Sequence, residues 1–404
     1  MPMSATFTCE PTRPVSGQGK LTVSVLRTRE EIEPFEACWR RWQYHPNADP
    51  DFFWTIVKSR SQVLHPFVLV VARDGTPEAM LIGRMEKGRH EVRLGYRVLA
   101  APEARVATFI QGGCLGHLDN DGATALMTEV ESRLAEGEAD LAFFSELPFG
   151  SPLIDAMGRS RKWISRDAFT LAKTHRALVL PGRHEDFLHS LSVKARKNQK
   201  RQGRKLMEAF PGGVEICCFS KIIDLDQMFA DAEAVARKTY QRRLRVGFED
   251  TFQIRERMTL AASKDWLRAY LLYLGGVPVA FWIGTQYRGV FFSDFMGHES
   301  AYAKHSPGMF LVMKVINGFY GADGNGRVTR VDFGVGDAQY KEVLGNVSWT
   351  DAFIYMYGPS RRGRVLNASQ LPVVLLDKFG RAALKRLHLQ NRVKKTLLKF
   401  VSKV

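Results

Sequence analysis

At 404 residues the chain has room for two or three ordinary domains, and its apolar and charged fractions are those of a globular protein, not of a fibrous or disordered one. No apolar run approaches the roughly 18–20 residues that a membrane-spanning helix needs. The net charge of +16 is local: residues 361–404 hold twelve Lys/Arg against one acid and Ser192–Lys205 holds seven against none, so a surface coated throughout with nucleic acid is excluded.

Residues 1–20 are rich in Pro, Ser, Thr and Gly and lack an apolar core segment, which predicts a disordered tail and no secretory signal. Leu21–Leu26 alternates as a strand. Glu30–Gln43 follows as a helix with Ile32, Phe35, Trp39 and Trp42 on one face, and Asp51–Val63 as a second helix. Pro66–Ala72 and Ala79–Met85 form a hairpin about Arg73-Asp74-Gly75, with Val92–Tyr96 as a third strand. Asp121–Glu136 is a helix and Leu141–Leu147 the next strand. The five Cys are scattered without C-x-x-C spacing, which predicts a reducing compartment with neither a disulfide framework nor a zinc site. No H-E-x-x-H occurs, and no metal is proposed.

From Lys197 to Lys205 no residue is apolar. A helix there is solvated, bridging, or ordered by a ligand, and the pattern leaves all three open. Val214–Phe219 reads as a strand and Leu225–Tyr240 as a helix running into the basic Arg237–Arg245. Leu267–Leu274 and Val279–Gly284 make a second hairpin about Gly275-Gly276. Val290–Met296 is then a buried strand. Ser306-Pro307-Gly308 opens a helix with Met309, Val312, Met313 and Ile316 at helical spacing, and Val328–Phe333 returns as a strand. A helix between two such strands implies a right-handed parallel crossover, whose loop lies at the strands' carboxyl edge, where open α/β sheets bind ligands. Asp337 reads as the cap of a short helix closed by Gly345, with Tyr340 and Lys341 on the face it shares. Hairpin, third strand, helix and fourth strand thus occur twice, with Gly75 and Gly276 at the same point. This suggests a duplicated α/β unit split near Thr174–Arg183. Beyond Pro359, the stretch 376–401 spaces apolar residues three or four apart with a cationic face. That pattern suits either an anionic membrane surface or docking on the chain's own domain.

Three passages carry a resemblance. Ser192–Leu206 looks like the basic helix that opens the second half of double-GNAT proteins. Tyr302-Ala-Lys-His-Ser-Pro-Gly308 looks like their substitute for the acyl-CoA loop. Asp332-Phe-Gly-Val-Gly-Asp337-Ala-Gln-Tyr340-Lys341 is similar to their D-F-G-x-G-D-x-x-Y-K signature. The chain resembles the GNAT N-acyltransferase superfamily, in the CelD-like (cellulose-biosynthesis acetyltransferase) branch, with FemAB aminoacyltransferases as cousins. The resemblance implies a mixed-sheet α/β fold of two tandem GNAT-like domains, 21–180 (degenerate) and 181–358 (catalytic), with a basic tail 359–404. It implies a cytoplasmic N-acyltransferase carrying an acyl group, such as acetyl, from acyl-CoA to a primary amine such as an amino sugar or cell-envelope or exopolysaccharide precursor. Lys304, Ser306, Gly308, Met309 and Lys341 would hold the acyl-CoA. An ammonium has no lone pair for attack, so a carboxylate must take its proton and a donor must protonate the thiolate. Asp332, Asp337 and Asp294 are the candidate carboxylates and Tyr340 the candidate acid. One Gly and a Pro stand where GNAT enzymes usually carry Q/R-x-x-G-x-G/A. Two other functions stay open: an aminoacyl-tRNA-dependent transferase with tRNA on Lys194–Lys205, and a membrane-associated scaffold without catalysis.

Overall fold

The computed structural model describes residues 19–94, 97–160, 171–239, 242, 247–321, 328–336 and 338–370. Asp337, Tyr240, most of the predicted N-terminal tail and the basic stretch 376–401 lie outside them. The described residues fall into two compact units. One runs to Lys173 and takes up the chain again from Thr350, and the other runs from Thr174 to Trp349. The segment 350–357, which sequence order puts in the second domain, therefore lies in the first unit.

The first unit begins with β1 (Leu21–Leu26). The helix expected over Glu30–Gln43 is three pieces: α1 (Arg29–Ile32), a 3-10 turn at Glu33–Phe35, and α2 (Glu36–Trp42). Pro34 lacks the N–H that a continuous helix would use and forces the break. Asp49 caps α3 (Pro50–Ser59) by accepting from the amides of Asp51 and Phe52. β2 (Val63–Pro66), β3 (Val68–Arg73) and β4 (Thr76–Arg89) follow, with the β3–β4 turn made at Gly75 (φ 81°). The expected strand at Val92–Tyr96 is instead a detached hairpin of β5 (Val92–Leu94) and β6 (Arg97–Ala100). The third strand of the meander is β7 (Glu103–Gly116), hidden in the sequence because Gly112-Gly113 reads as a breaker. α4 (Asn120–Ala135), β8 (Leu141–Pro148) and α5 (Pro152–Ser160) complete the run. The sheet order is β1-β3-β4-β7-β8, with β2 also on β4 and the last strand, β15 (Val347–Tyr357), antiparallel to β8. Leu126, Met127 and Val130 of α4 pack on Leu69, Phe109 and Phe144. Cys38 on α2 is fully buried, and Cys114, Cys217 and Cys218 are free.

The second unit opens within β9 (Leu171–Val179), in the stretch where sequence reading places the split between the halves but no strand. α6 (His184–Ser190) and α7 (Val193–Ala209) come next. β10 (Val214–Phe219), α8 (Leu225–Ala236) and α9 (Phe252–Ser263) lead to the meander β11 (Leu267–Leu274), β12 (Val277–Tyr287) and β13 (Val290–His298). A 3-10 turn at Ser300–His305, α10 (Pro307–Gly318), β14 (Arg330–Val335) and α11 (Gln339–Leu344) follow. The order is β9-β14-β13-β12-β11-β10, antiparallel except where β13 meets β14. Trp282, Phe291, Leu311 and Ile316 form the core between sheet and α10, each large side chain contributing roughly 2–3 kcal/mol by burial. The polar helix α7 reaches this core through buried Leu206 and through Gly203, where an added Cβ would stand 3.6 Å from the Phe310 ring.

Candidate active site

β13 and β14 run parallel for three residue pairs, Val290–Arg330, Phe291–Val331 and Phe292–Asp332. β13 then continues to His298 and β14 to Val335 with no further pair between them. Two local features part them. Against β12 the register of β13 shifts at Asp294, an extra residue between Ser293 and Phe295, and a bulge of this kind bends its strand. Gly284 opposite has no room for a Cβ beside the Phe292 carbonyl and the Phe291 ring. On the other side, Gly334 (φ 69°) and Gly336 (φ 107°) turn β14 away, which only glycine does without strain. The D-F-G-V-G half of the sequence signature is thus a backbone bend.

α10 starts beside this opening. Ser306 occupies its N-cap position in a left-handed conformation (φ 51°), and its hydroxyl makes no capping hydrogen bond, unlike the cap expected from sequence. Pro307 is the first helical residue. Gly308 is buried against His298, and a Cβ there would stand 3.3 Å from the imidazole Nδ1. Its smallness therefore accommodates a protein ring. Burial lowers the pKa of His298, which keeps that imidazole neutral near pH 7.

A cleft of 1020 Å³ lies between α7, the mouth of α10 and α11. Ser306, Met309 and Tyr340 line it, together with the face of α7 that carries Lys194, Lys197 and Arg201. No carboxylate lines it among the described residues. The ring of Tyr340 stands edge-on to Phe333, with centroids 5.8 Å apart.

The other sequence candidates are engaged elsewhere. Asp332, at the foot of the parting strands, is 8% exposed, with Oδ1 2.6 Å from His175 Nε2 and 2.8 Å from the Gly334 amide that donates to it. Burial by itself would raise its pKa. The His175 hydrogen bond and charge, the Gly334 amide and Arg330 outweigh burial and hold it below the usual carboxylate value. Asp294 pairs with Arg257 at 3.1 Å and accepts from Thr285 Oγ1 at 2.8 Å. The ammonium of Lys341 donates to the carbonyls of Val335 and Gly334, at 2.8 and 3.2 Å, and so braces the β14 bend. Lys304 is exposed and outside the cleft lining. Ala338, not Asp337, holds the N-cap position of α11. The sequence marks α7 as basic, but which of its faces meets the cleft follows only from how Gly203 and Leu206 seat it.

The first unit repeats the geometry with one reversal. β7 and β8 pair in parallel from Val106–Leu141 to Phe109–Phe144, and then β7 bulges across Ile110–Gly113. Its crossover helix α4, however, is closed by its own cap. Asp119 accepts from the Gly122 amide at 2.7 Å and from Arg73 at 2.7 Å, so a carboxylate already occupies that helix mouth.

Among curated proteins no relative matches the chain. Solved structures do. One is a conserved protein of unknown function from Bacteroides thetaiotaomicron VPI-5482, with a TM-score of 0.50 and 9% identity, over 83% of this chain and 100% of that one. Another is a tandem GNAT protein from the clavulanic acid biosynthesis pathway, with a TM-score of 0.50 and 13% identity, over 84% and 100%. FemX aligns at a TM-score of 0.47 and 11% identity, over 81% and 97%. Residues 193–342 match the family model described as an Acetyltransferase (GNAT) domain, and the chain shares its fold with a tandem GNAT protein.

Proposed function

We propose that the second unit is an acyl-CoA-dependent N-acyltransferase of the CelD-like kind, moving an acetyl or similar acyl group to a primary amine on an amino sugar or other cell-envelope or exopolysaccharide precursor. The observation that carries this reading is the parting of β13 from β14 after Phe292 beside an α10 mouth that the Ser306 side chain does not cap. Strands that part in this way can admit an amide-bearing pantetheine arm, and the amides of a helix's first turn attract a diphosphate. In this reading the neutral amine attacks the thioester carbonyl and a C–N bond forms. The C–S bond then breaks, and the thiolate takes a proton from Tyr340. The proton lost by the amine goes to Asp337, one residue before the cap of α11, while Asp332 and Asp294 hold the two strands in their bent form. An acyl-CoA donor puts the reaction on the cytoplasmic side, and the stretch 376–401 lies on the anionic inner face of the membrane.

The test is calorimetric titration of the full chain with acetyl-CoA and longer acyl-CoAs, followed by transfer assays with hexosamines and short diamines. Ser306→Asp gives α10 a carboxylate at its mouth, as Asp119 gives α4. It is expected to weaken acetyl-CoA binding at least tenfold. No heat with any acyl-CoA, together with binding of aminoacyl-tRNA, would instead support the tRNA-dependent reading, and binding without transfer to any amine would support the scaffold.

A further inference from the structure

Among the described residues, every cation that lines the cleft comes from one helix. Lys194, Lys197 and Arg201 recur at three- and four-residue spacing on α7, so they form a ladder about 10 Å long at 1.5 Å rise per residue. The neighbouring cations Lys200, Arg204 and Lys205 are absent from the cleft lining, and Arg204 is paired with Glu208. No acid faces the ladder within the cleft among the described residues, and Arg201 bonds only the neutral Asn198 amide oxygen, at 3.1 Å. Beside these cations, Gln202 carries a buried Oε1 with no hydrogen-bond partner among the described residues, an acceptor open to an N–H donor. The opposite wall is the α10 mouth, where Pro307 removes one amide and Gly308 is turned against His298. Loop amides are therefore few on the wall that faces the side-chain cations.

We infer that the Lys194–Lys197–Arg201 face of α7 is the phosphate-reading wall of the site, binding the diphosphate and ribose phosphate of a 3′-phosphorylated ADP group. This rests on the acyl-CoA reading above and says which element recognises the donor. Uncompensated cations in a concave wall concentrate polyanions and gain most from charge-assisted contacts. Their spread along the helix suits a ligand with phosphates at two separated points.

The experiment titrates the full chain with CoA, dephospho-CoA and adenosine 3′,5′-bisphosphate at fixed ionic strength. It compares the unaltered protein with Lys194→Gln/Lys197→Gln/Arg201→Gln and with the control Lys200→Gln/Arg204→Gln/Lys205→Gln. Gln is a good helix former, and circular dichroism checks that α7 persists. The unaltered protein is expected to prefer CoA over dephospho-CoA about tenfold. The cleft variant should lose that preference and bind CoA about 30-fold more weakly with a flatter salt dependence, and the control should bind as the unaltered protein does. Equal CoA binding by the unaltered and cleft variants, an equal loss in the control, or a loss of tRNA binding with CoA untouched overturns the inference while leaving the acyl-CoA reading standing. Binding of adenosine 3′,5′-bisphosphate that the cleft variant loses, without any binding of acetyl-CoA, sustains the phosphate wall and removes the acyl-CoA donor. No binding of any of the three ligands removes both.

Discussion

Asp332 joins the two strands of the site to the strand behind them. It bonds His175 on β9 and the Gly334 amide on its own bend, and the His175 ring is stacked on Trp349 with centroids 4.1 Å apart. Because its folded-state pKa lies below the ordinary 3.8, it contributes stability that is fully present above that value and is lost as acid takes the pH down through the folded pKa. Asp332→Asn should lower the unfolding free energy by about 2 kcal/mol at neutral pH, with the difference from the unaltered protein vanishing in strong acid. Denaturant melts at a series of pH values read this directly. Tyr340 has the opposite character, since it lines the cleft. Tyr340→Phe keeps the ring that packs on Phe333 and removes only the hydroxyl. It should lower kcat roughly 100-fold while leaving acetyl-CoA affinity within a few-fold, and an equal fall in affinity would assign Tyr340 to binding. The sequence signature names both residues but not this division. Asp332 and Tyr340 lie eight positions apart, and only the bend at Gly334 and Gly336 turns one toward β9 and the other toward α7.

Among the elements, the bulge in β13 and the two crossover helices matter most. The register shift at Asp294 bends β13 where its pairing with β14 ends, after Phe292. Gly284→Ala puts a methyl group into the Phe292 carbonyl and the Phe291 ring at that point. It should cost about 1–3 kcal/mol of stability and should weaken acetyl-CoA binding at a temperature where the variant is still folded. A variant destabilised to that extent with unchanged affinity would separate the bulge from the site. The contrast between α4 and α10 was not legible beforehand: the sequence reads Ser306 as a cap, yet in the structure Asp119 acts as one and Ser306 does not. Ser306 follows a 3-10 turn that delivers it left-handed, and its hydroxyl then makes no capping bond to the first turn.

For the molecule as a whole, two units of the same design differ in which helix mouth is open. One acetyl-CoA per chain is therefore the expected calorimetric stoichiometry, and two would mean that Asp119 does not exclude an anion from the first unit. Ending the chain after residue 370 removes the basic stretch 376–401. It should abolish co-sedimentation with anionic vesicles and leave acetyl-CoA binding intact, and co-sedimentation that persists would assign membrane contact elsewhere. Among the described residues no helix is long and apolar enough to cross a membrane.

Composition, hydrophobic period and turn glycines by themselves determined the order of hairpin, strand, helix and strand in the second half, its parallel crossover and the basic character of α7, because each of these is local in the chain. Gly75 and Gly276 marked equivalent turns, and both adopt positive φ. What only the tertiary structure decided depends on partners far apart in sequence. It set β7 in place of Val92–Tyr96, moved 350–357 to the first unit, and committed Asp332, Asp294 and Lys341 to His175, Arg257 and the β14 carbonyls. A side chain's charge is written in the sequence. Whether that charge remains free for a ligand depends on which distant groups the fold brings within hydrogen-bonding distance.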